Sequence, residues 1–268
     1  MEQVKRTTPD KNLFENIFSN RETEEIIQLL SDGIDAVINN AENLYQDAQL
    51  MFKNSRWASW RFLLTTTNEE MAKSYILLDT CRLDFARHQS VLKRLCYAFY
   101  DHVSKYAYGN IINSKDIHNL QEAKIEWQDS TTRWALDDDT QPIHETYFLR
   151  EAPLYVDYLD YDQLWSTPLD LVAEYNYSMG SGIPNFQAAL ERLKMTQQVG
   201  LFSSNILNLI NENFKKHYFS EATPDEALVS LHKKTAKQIE TKTSVSATTY
   251  QESSLHTIPL YHFLTMQK

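Results

Sequence analysis

A chain of 268 residues with 42% hydrophobic and 12% aromatic side chains has apolar surface enough for one large domain or two small ones, which excludes a disordered polypeptide. Five glycines and seven prolines are too few for an all-β sandwich with its many tight turns. A net charge of −10 with a pI near 5.3 excludes a general nucleic-acid coat, which must be basic to neutralise phosphates, so any RNA contact has to come from a local patch.

No apolar run approaches the roughly 20 residues that span a bilayer. The opening MEQVKRTTPDKNLFENIF has basic residues but no apolar segment of the signal-peptide kind. The expectation is a cytoplasmic protein with no membrane partner. Cys81 and Cys96 fall in neighbouring helical segments and could form a disulfide, but in a leaderless chain they are expected as reduced core residues.

The first helix signal is Ser19-Asn20-Arg21-Glu22, a capping-box pattern. Ile34, Val37, Ile38, Ala41, Leu44, Tyr45, Ala48, Met51 and Phe52 then recur at helical spacing, with Asn39, Asn40, Glu42, Asn43 and Gln46 opposite. Residues 56–84 read as a second long helix, in which Glu69 and Lys73 form an i,i+4 pair in the favourable order. A third helix is expected over 88–112, with a stripe of Val91, Leu95, Ala98, Phe99, His102, Val103 and Tyr106. Short links between these segments suit an antiparallel bundle.

Further along, Asp137-Asp138-Asp139 ahead of Thr140-Gln141-Pro142 marks a loop, and the tyrosine-rich Ile143–Asp162 has enough alternation for a short hairpin. Helical patterning returns at Asn185–Gln198, through Phe186, Ala189, Leu190 and Leu193, and at Phe202–Tyr218, through Ile206, Leu207, Ile210 and Phe214. Thr223-Pro224-Asp225-Glu226 starts a last helix, with Thr223 as cap and Pro224 at the first helical position, running to about Glu240. Residues 241–254 read as a Ser/Thr-rich linker, and LHTIPLYHFLTMQK is an apolar tail that docks on its own body or on a partner subunit.

The expected fold is mainly α: an antiparallel helical bundle with a C-terminal helical extension and room for a short β-hairpin. The chain divides into a helical lead-in (1–30), a helical domain (31–115), a loop-rich insertion (116–184), C-terminal helices (185–240) and a polar linker with an apolar tail (241–268).

Three motifs carry a family resemblance. Residues 33–50, GIDAVINNAENLYQDAQL, resemble the opening helix of the HEPN-type domain of AbiV-family abortive infection proteins. Asn68-Glu69-Glu70-Met71-Ala72-Lys73 is similar to that family's Glu-Glu-Leu-Gly-Lys signature, with Met71-Ala72 where Leu-Gly is usual. Phe99-Tyr100-Asp101-His102-Val103-Ser104-Lys105 is similar to its Asp-His-x-x-Lys signature. Order, spacing and helix context agree over residues 31–113; the remainder of the chain carries no such resemblance.

The resemblance implies antiphage defence and, in many HEPN domains, a metal-independent ribonuclease that works as a homodimer, with an arginine and a histidine from each protomer. A histidine near its pKa can exchange the proton of a ribose 2′-hydroxyl, and an arginine can grip the scissile phosphate through its fork. The candidates are His102 and Arg94, with Glu70, Lys73 and Lys105 beside them. Arg82 and His88 form a second Arg–His pair, at the junction of the second and third helices. Arg87, Lys93, Arg94 and Lys105 form a basic stretch interrupted only by Asp101, a candidate contact for tRNA or mRNA, and equally a solvated helix face. His102 could instead be a core histidine hydrogen-bonded to Glu69 or Glu70, and Glu69, Glu70 and Lys73 an interhelical network. His144, His217, His232, His256 and His262 show no ligand spacing, so no metal or cofactor is expected. The competing reading is a binding module that recognises a phage or host protein without chemistry.

Overall fold

The computed structural model describes residues 16–114, 117, 119–132, 157–159, 164–166, 183–219, 223–255, 257 and 259–265. The Asp137–Asp139 loop and most of the tyrosine-rich stretch lie outside the described residues. Among those described the chain is mainly helical, as the sparse glycine and proline imply.

Helix α1, Thr23–Lys53, and helix α2, Trp57–Cys81, form an antiparallel hairpin joined by Asn54–Arg56. Ser19 does not start α1. Asn20 takes a left-handed φ of 58° and breaks the chain there, and Glu22 becomes the cap residue, its amide donating to the Glu25 carboxylate at 3.4 Å. At the other end the Asn54 side-chain amide donates to the Leu50 carbonyl at 2.8 Å, and Ser55 (φ 57°) turns the chain. The expected stripe of α1 is inward at Ile34, Ile38, Ala41 and Ala48, which are fully buried, but its last member, Phe52, is 45% exposed. Within α2, Thr65, Thr66 and Thr67 continue the helix because each hydroxyl donates back to the carbonyl four residues earlier.

The single third helix expected over 88–112 is two. Helix α3 is Gln89–Ala98 and helix α4 is His102–Asn113. The break falls where Asp101 leaves the helical conformation (ψ 124°) and its carboxylate accepts from the amide and hydroxyl of Ser104, at 2.8 and 2.7 Å. A side-chain N-cap worth about 1 kcal/mol favours a new start over continuation. Helix α4 packs close on α2 at Gly109, where a Cβ would stand 2.5–2.9 Å from the Asn68 side chain. Helix α5, Leu120–Thr132, packs on α4, and Trp127 meets Tyr108 edge-on with ring centroids 5.6 Å apart.

Strands β1, Asp157–Leu159, and β2, Leu164–Ser166, pair antiparallel with Tyr158 opposite Trp165. This is the expected hairpin, its second strand lying beyond Asp162. Helices α6, Ile183–Gln198, and α7, Ser204–Phe214, follow the sequence pattern. The Asn211 side-chain amide of α7 donates to the carbonyls of Cys81 and Leu83, at 2.8 and 2.9 Å, and so closes the end of α2. Helix α8, Asp225–Lys242, begins one residue later than expected, with Pro224 as its cap residue. The presumed linker contains a further helix, α9, Ala247–Glu252, started by Ser246, whose hydroxyl accepts from the Thr249 amide at 3.0 Å. Tyr250 of α9 is fully buried, so an apolar anchor outweighs the polar composition around it.

The tail docks on its own body. One apolar core runs from Ile26 to Leu264 and takes in Leu255, Leu260, Tyr261 and Phe263. The tail is held chiefly by a buried ion pair at the end of α2. Arg82 donates to Asp79 at 2.8 Å, to the Leu255 and Thr257 carbonyls at 2.9 and 3.1 Å, and to the Thr257 hydroxyl at 3.2 Å. Asp79 accepts in turn from the Leu260 amide at 2.7 Å and the Tyr108 hydroxyl at 3.0 Å. Burial pushes the Asp79 carboxyl upward, against the pull of Arg82 and of these donors. Cys81 and Cys96 are buried and unbridged, and burial pushes the Cys96 thiol up to about 12.

Replacing Arg82 by Met leaves Asp79 and two carbonyls buried without their partner. Such a loss costs about 3–5 kcal/mol, read as a lower urea midpoint, and limited proteolysis should cut the tail before the bundle. Equal stability of Arg82→Met and the parent chain would show that the tail is held by apolar contact alone.

Candidate functional site

Glu69 lies in register with Ala72, Ile76 and Asp79, the stripe of α2 that faces the core, and is 7% exposed. Glu70, turned about 100° away by the helix, is only partly buried and pairs with Lys73 at i,i+3. The expected Glu69–Lys73 pair is therefore not formed. Glu69 reaches across to α4: one carboxylate oxygen is 2.9 Å from His102 Nδ1, and the other accepts from Lys105 Nζ at 2.9 Å. Lys73 lies over the Phe99 ring, 5.1 Å from its centroid, just ahead of the break that exposes the start of α4. The Glu-Glu-x-x-Lys and Asp-His-x-x-Lys segments thus converge into one polar cluster.

The cluster is graded in exposure. The Lys105 side chain is 5% exposed and that of Glu69 9%, whereas that of His102 is 25% exposed. Burial pushes the Glu69 carboxyl up, but the His102 hydrogen bond and the Lys105 charge outweigh it, and the net displacement is downward. The Glu69 contact fixes the imidazole: in the neutral ring Nδ1 carries the proton toward Glu69 and Nε2 is the basic nitrogen. Asp101 caps α4 and so sets the backbone from which His102 projects.

The remaining candidates are placed apart from this cluster or in other work. Arg94, exposed on α3, donates to the Leu264 carbonyl at 2.8 Å. The chain break puts Arg94 and His102 on separate helices, so they do not share a helix face as two turns of one helix would. Arg82 is buried in the tail clamp, and His88 Nδ1 accepts from the Asp84 amide at 3.1 Å. Lys93 and Arg87 are exposed, the latter 3.6 Å from Asp84, but Lys105 has left the basic face for Glu69. Among the described residues no group of His, Cys, Asp and Glu is placed to hold a metal ion, and no helix is long and apolar enough to cross a membrane.

A long helical hairpin is crossed by a capped helix that returns a histidine and a lysine to one carboxylate. A family model for the AbiV HEPN domain matches residues 29–178, more than half of the chain, and the chain belongs to the AbiV family. That membership points to abortive infection, an antiphage role, and the match runs past α4 through α5 and both strands. No curated protein and no solved structure matches the chain.

Because the folded Glu69 carboxyl sits below its ordinary value, its stabilisation is complete above the unfolded pKa of about 4.3 and is lost as pH falls through the folded value. Glu69→Gln should cost about 1–3 kcal/mol at neutral pH, and the gap to the parent chain should close in acid. Urea unfolding at pH 7 and pH 3 checks this; an equal gap at both would contradict a charged Glu69.

Proposed function

We propose that the chain is an abortive-infection effector that cleaves RNA without a metal, with His102 as its proton-transfer group. The observation that carries this reading is the 2.9 Å contact between Glu69 and His102 Nδ1, which orients a ring that is 25% exposed. In this reading Nε2 takes the proton of a ribose 2′-hydroxyl, the 2′-oxygen attacks the adjacent phosphorus, and the 5′-oxygen leaves with a proton. Lys105 offsets the charge of Glu69, and Lys73, partly exposed beside Glu70, is the more exposed cation for a phosphate. The protein acts as a homodimer, Arg94 of one protomer supplying the forked contact at the other's site, with Arg87 and Lys93 along the backbone of a tRNA or mRNA.

A second reading has support of its own: Arg82 is consumed by the tail clamp, and Arg94 stands on a different helix from His102. A non-catalytic module that recognises a phage or host protein needs neither arginine.

Purified protein incubated with tRNA and total RNA separates the two. The catalytic reading expects fragments ending in 2′,3′-cyclic phosphate, lost by about 10²–10⁴-fold in His102→Ala while the circular dichroism spectrum is kept. Intact RNA under all conditions, with defence retained by His102→Ala, would establish the binding reading instead.

A further inference from the structure

A cavity of about 280 Å³ lies away from the Glu69 cluster, walled by α2, α4, α6, α8 and the tail. Its nearer edge on α2, at Tyr75, is about 9 Å along the helix from Glu69 by helical rise. Most of its surface is apolar, from Ile111 and Ile112 of α4, Leu228 of α8 and Leu260 of the tail.

The polar groups on its buried side are already occupied within the protein. Tyr75 donates to Ser254 at 3.3 Å, Tyr108 to Asp79 at 3.0 Å, and His232 Nδ1 lies 2.8 Å from the Tyr250 hydroxyl. The negative charge of Asp79 is answered by Arg82. Arg192 is different. It lines the same cavity from α6, is exposed at its solvent side, and its guanidinium makes no hydrogen bond or ion pair with any described residue. Its charge nonetheless reaches the cavity interior, where it pulls on the buried Tyr75 hydroxyl after desolvation and Ser254 have acted on it.

One uncompensated cation at the mouth and an apolar interior specify the complement: a small hydrocarbon body ending in a single negative charge. A guanidinium fork matches a carboxylate in two parallel hydrogen bonds. A phosphate dianion would bring a second charge for which the cavity walls hold no cation. At about 30 Å³ per water-sized unit the space takes roughly ten non-hydrogen atoms. We propose that this cavity is a binding site for a small apolar monocarboxylate, held by Arg192 at the rim and by Ile111, Ile112 and Leu228 within. The site is independent of RNA cleavage and stands or falls without it.

The test is thermal denaturation and calorimetric titration of the full chain with benzoate, phenylacetate and indole-3-acetate, against benzamide, phenylacetamide and inorganic phosphate. At least one acid should raise the melting temperature in a saturable way, and the neutral amides and phosphate should not. Arg192→Gln should weaken that acid's affinity at least tenfold with an unchanged ligand-free melting temperature, because its guanidinium holds nothing in the fold. Ile112→Phe, which fills the cavity, should abolish binding with Arg192 intact, and His102→Ala should keep it. No shift with any acid, equal shifts with acids and amides, or undiminished binding in Arg192→Gln would each overturn the assignment.

Discussion

The buried pair Asp79–Arg82 is the constraint on which the rest of the arrangement depends. Two opposite charges at the end of α2, each 3% exposed or less, are tolerable only because each of their polar atoms but Arg82 Nε has a hydrogen-bond partner. The answers come from far away in the chain: two carbonyls and a hydroxyl of the tail, the Leu260 amide, and the Tyr108 hydroxyl of α4. The pair therefore fixes three things at once: where α2 ends, how the tail lies, and the seat of α4 against α2.

That last relation sets the geometry of the candidate site. Glu69 and Asp79 stand on one stripe of α2, and each carboxylate takes a partner from α4, Lys105 and His102 at one and Tyr108 at the other. Gly109 permits the close approach that both pairings require. The imidazole is thus positioned by a two-point attachment of one helix to another, with the ion pair as the deeper anchor and the Glu69 cluster as the shallower, partly hydrated one.

How much of this was legible in the sequence follows from the range of each interaction. The stripe Ile34–Ala48 and the helix around Ile206, Leu207 and Ile210 were readable because a 3.6 period is written in contiguous residues. So were the two charged motifs and their family resemblance. The break at Phe99–Asp101 was hidden because Phe99 and Val103 keep the apolar rhythm across it, although Asp101 with Ser104 three residues on was a cap signal in plain view. Glu69 was obscured by a good local partner, Lys73, while its register with Ala72, Ile76 and Asp79 was the sign that it faces inward. Arg82 could not be read as a clamp, since only Asp79 is local and its tail partners lie more than 170 positions away, where no local pattern encodes them. Helix α9 was missed for a related reason: Ser and Thr describe its surface, and only Tyr250 discloses its burial.

The distance between the two halves of the clamp also orders events in time. A nascent chain leaving the ribosome presents Asp79 and Arg82 long before Leu260, 181 positions later, has been made. Until then Arg82 lacks its tail carbonyls and Asp79 has Arg82 and Tyr108 but not the Leu260 amide, and the surface that Tyr261 and Phe263 will cover is bare. Contacts of such sequence separation are the slow ones in folding. A chain truncated before the tail, or a ribosome stalled there, would hold both signature motifs without the seat that aligns them, and quality-control proteases would find it open. Whatever the finished protein does in a cell, an unfinished copy is poorly equipped to do it.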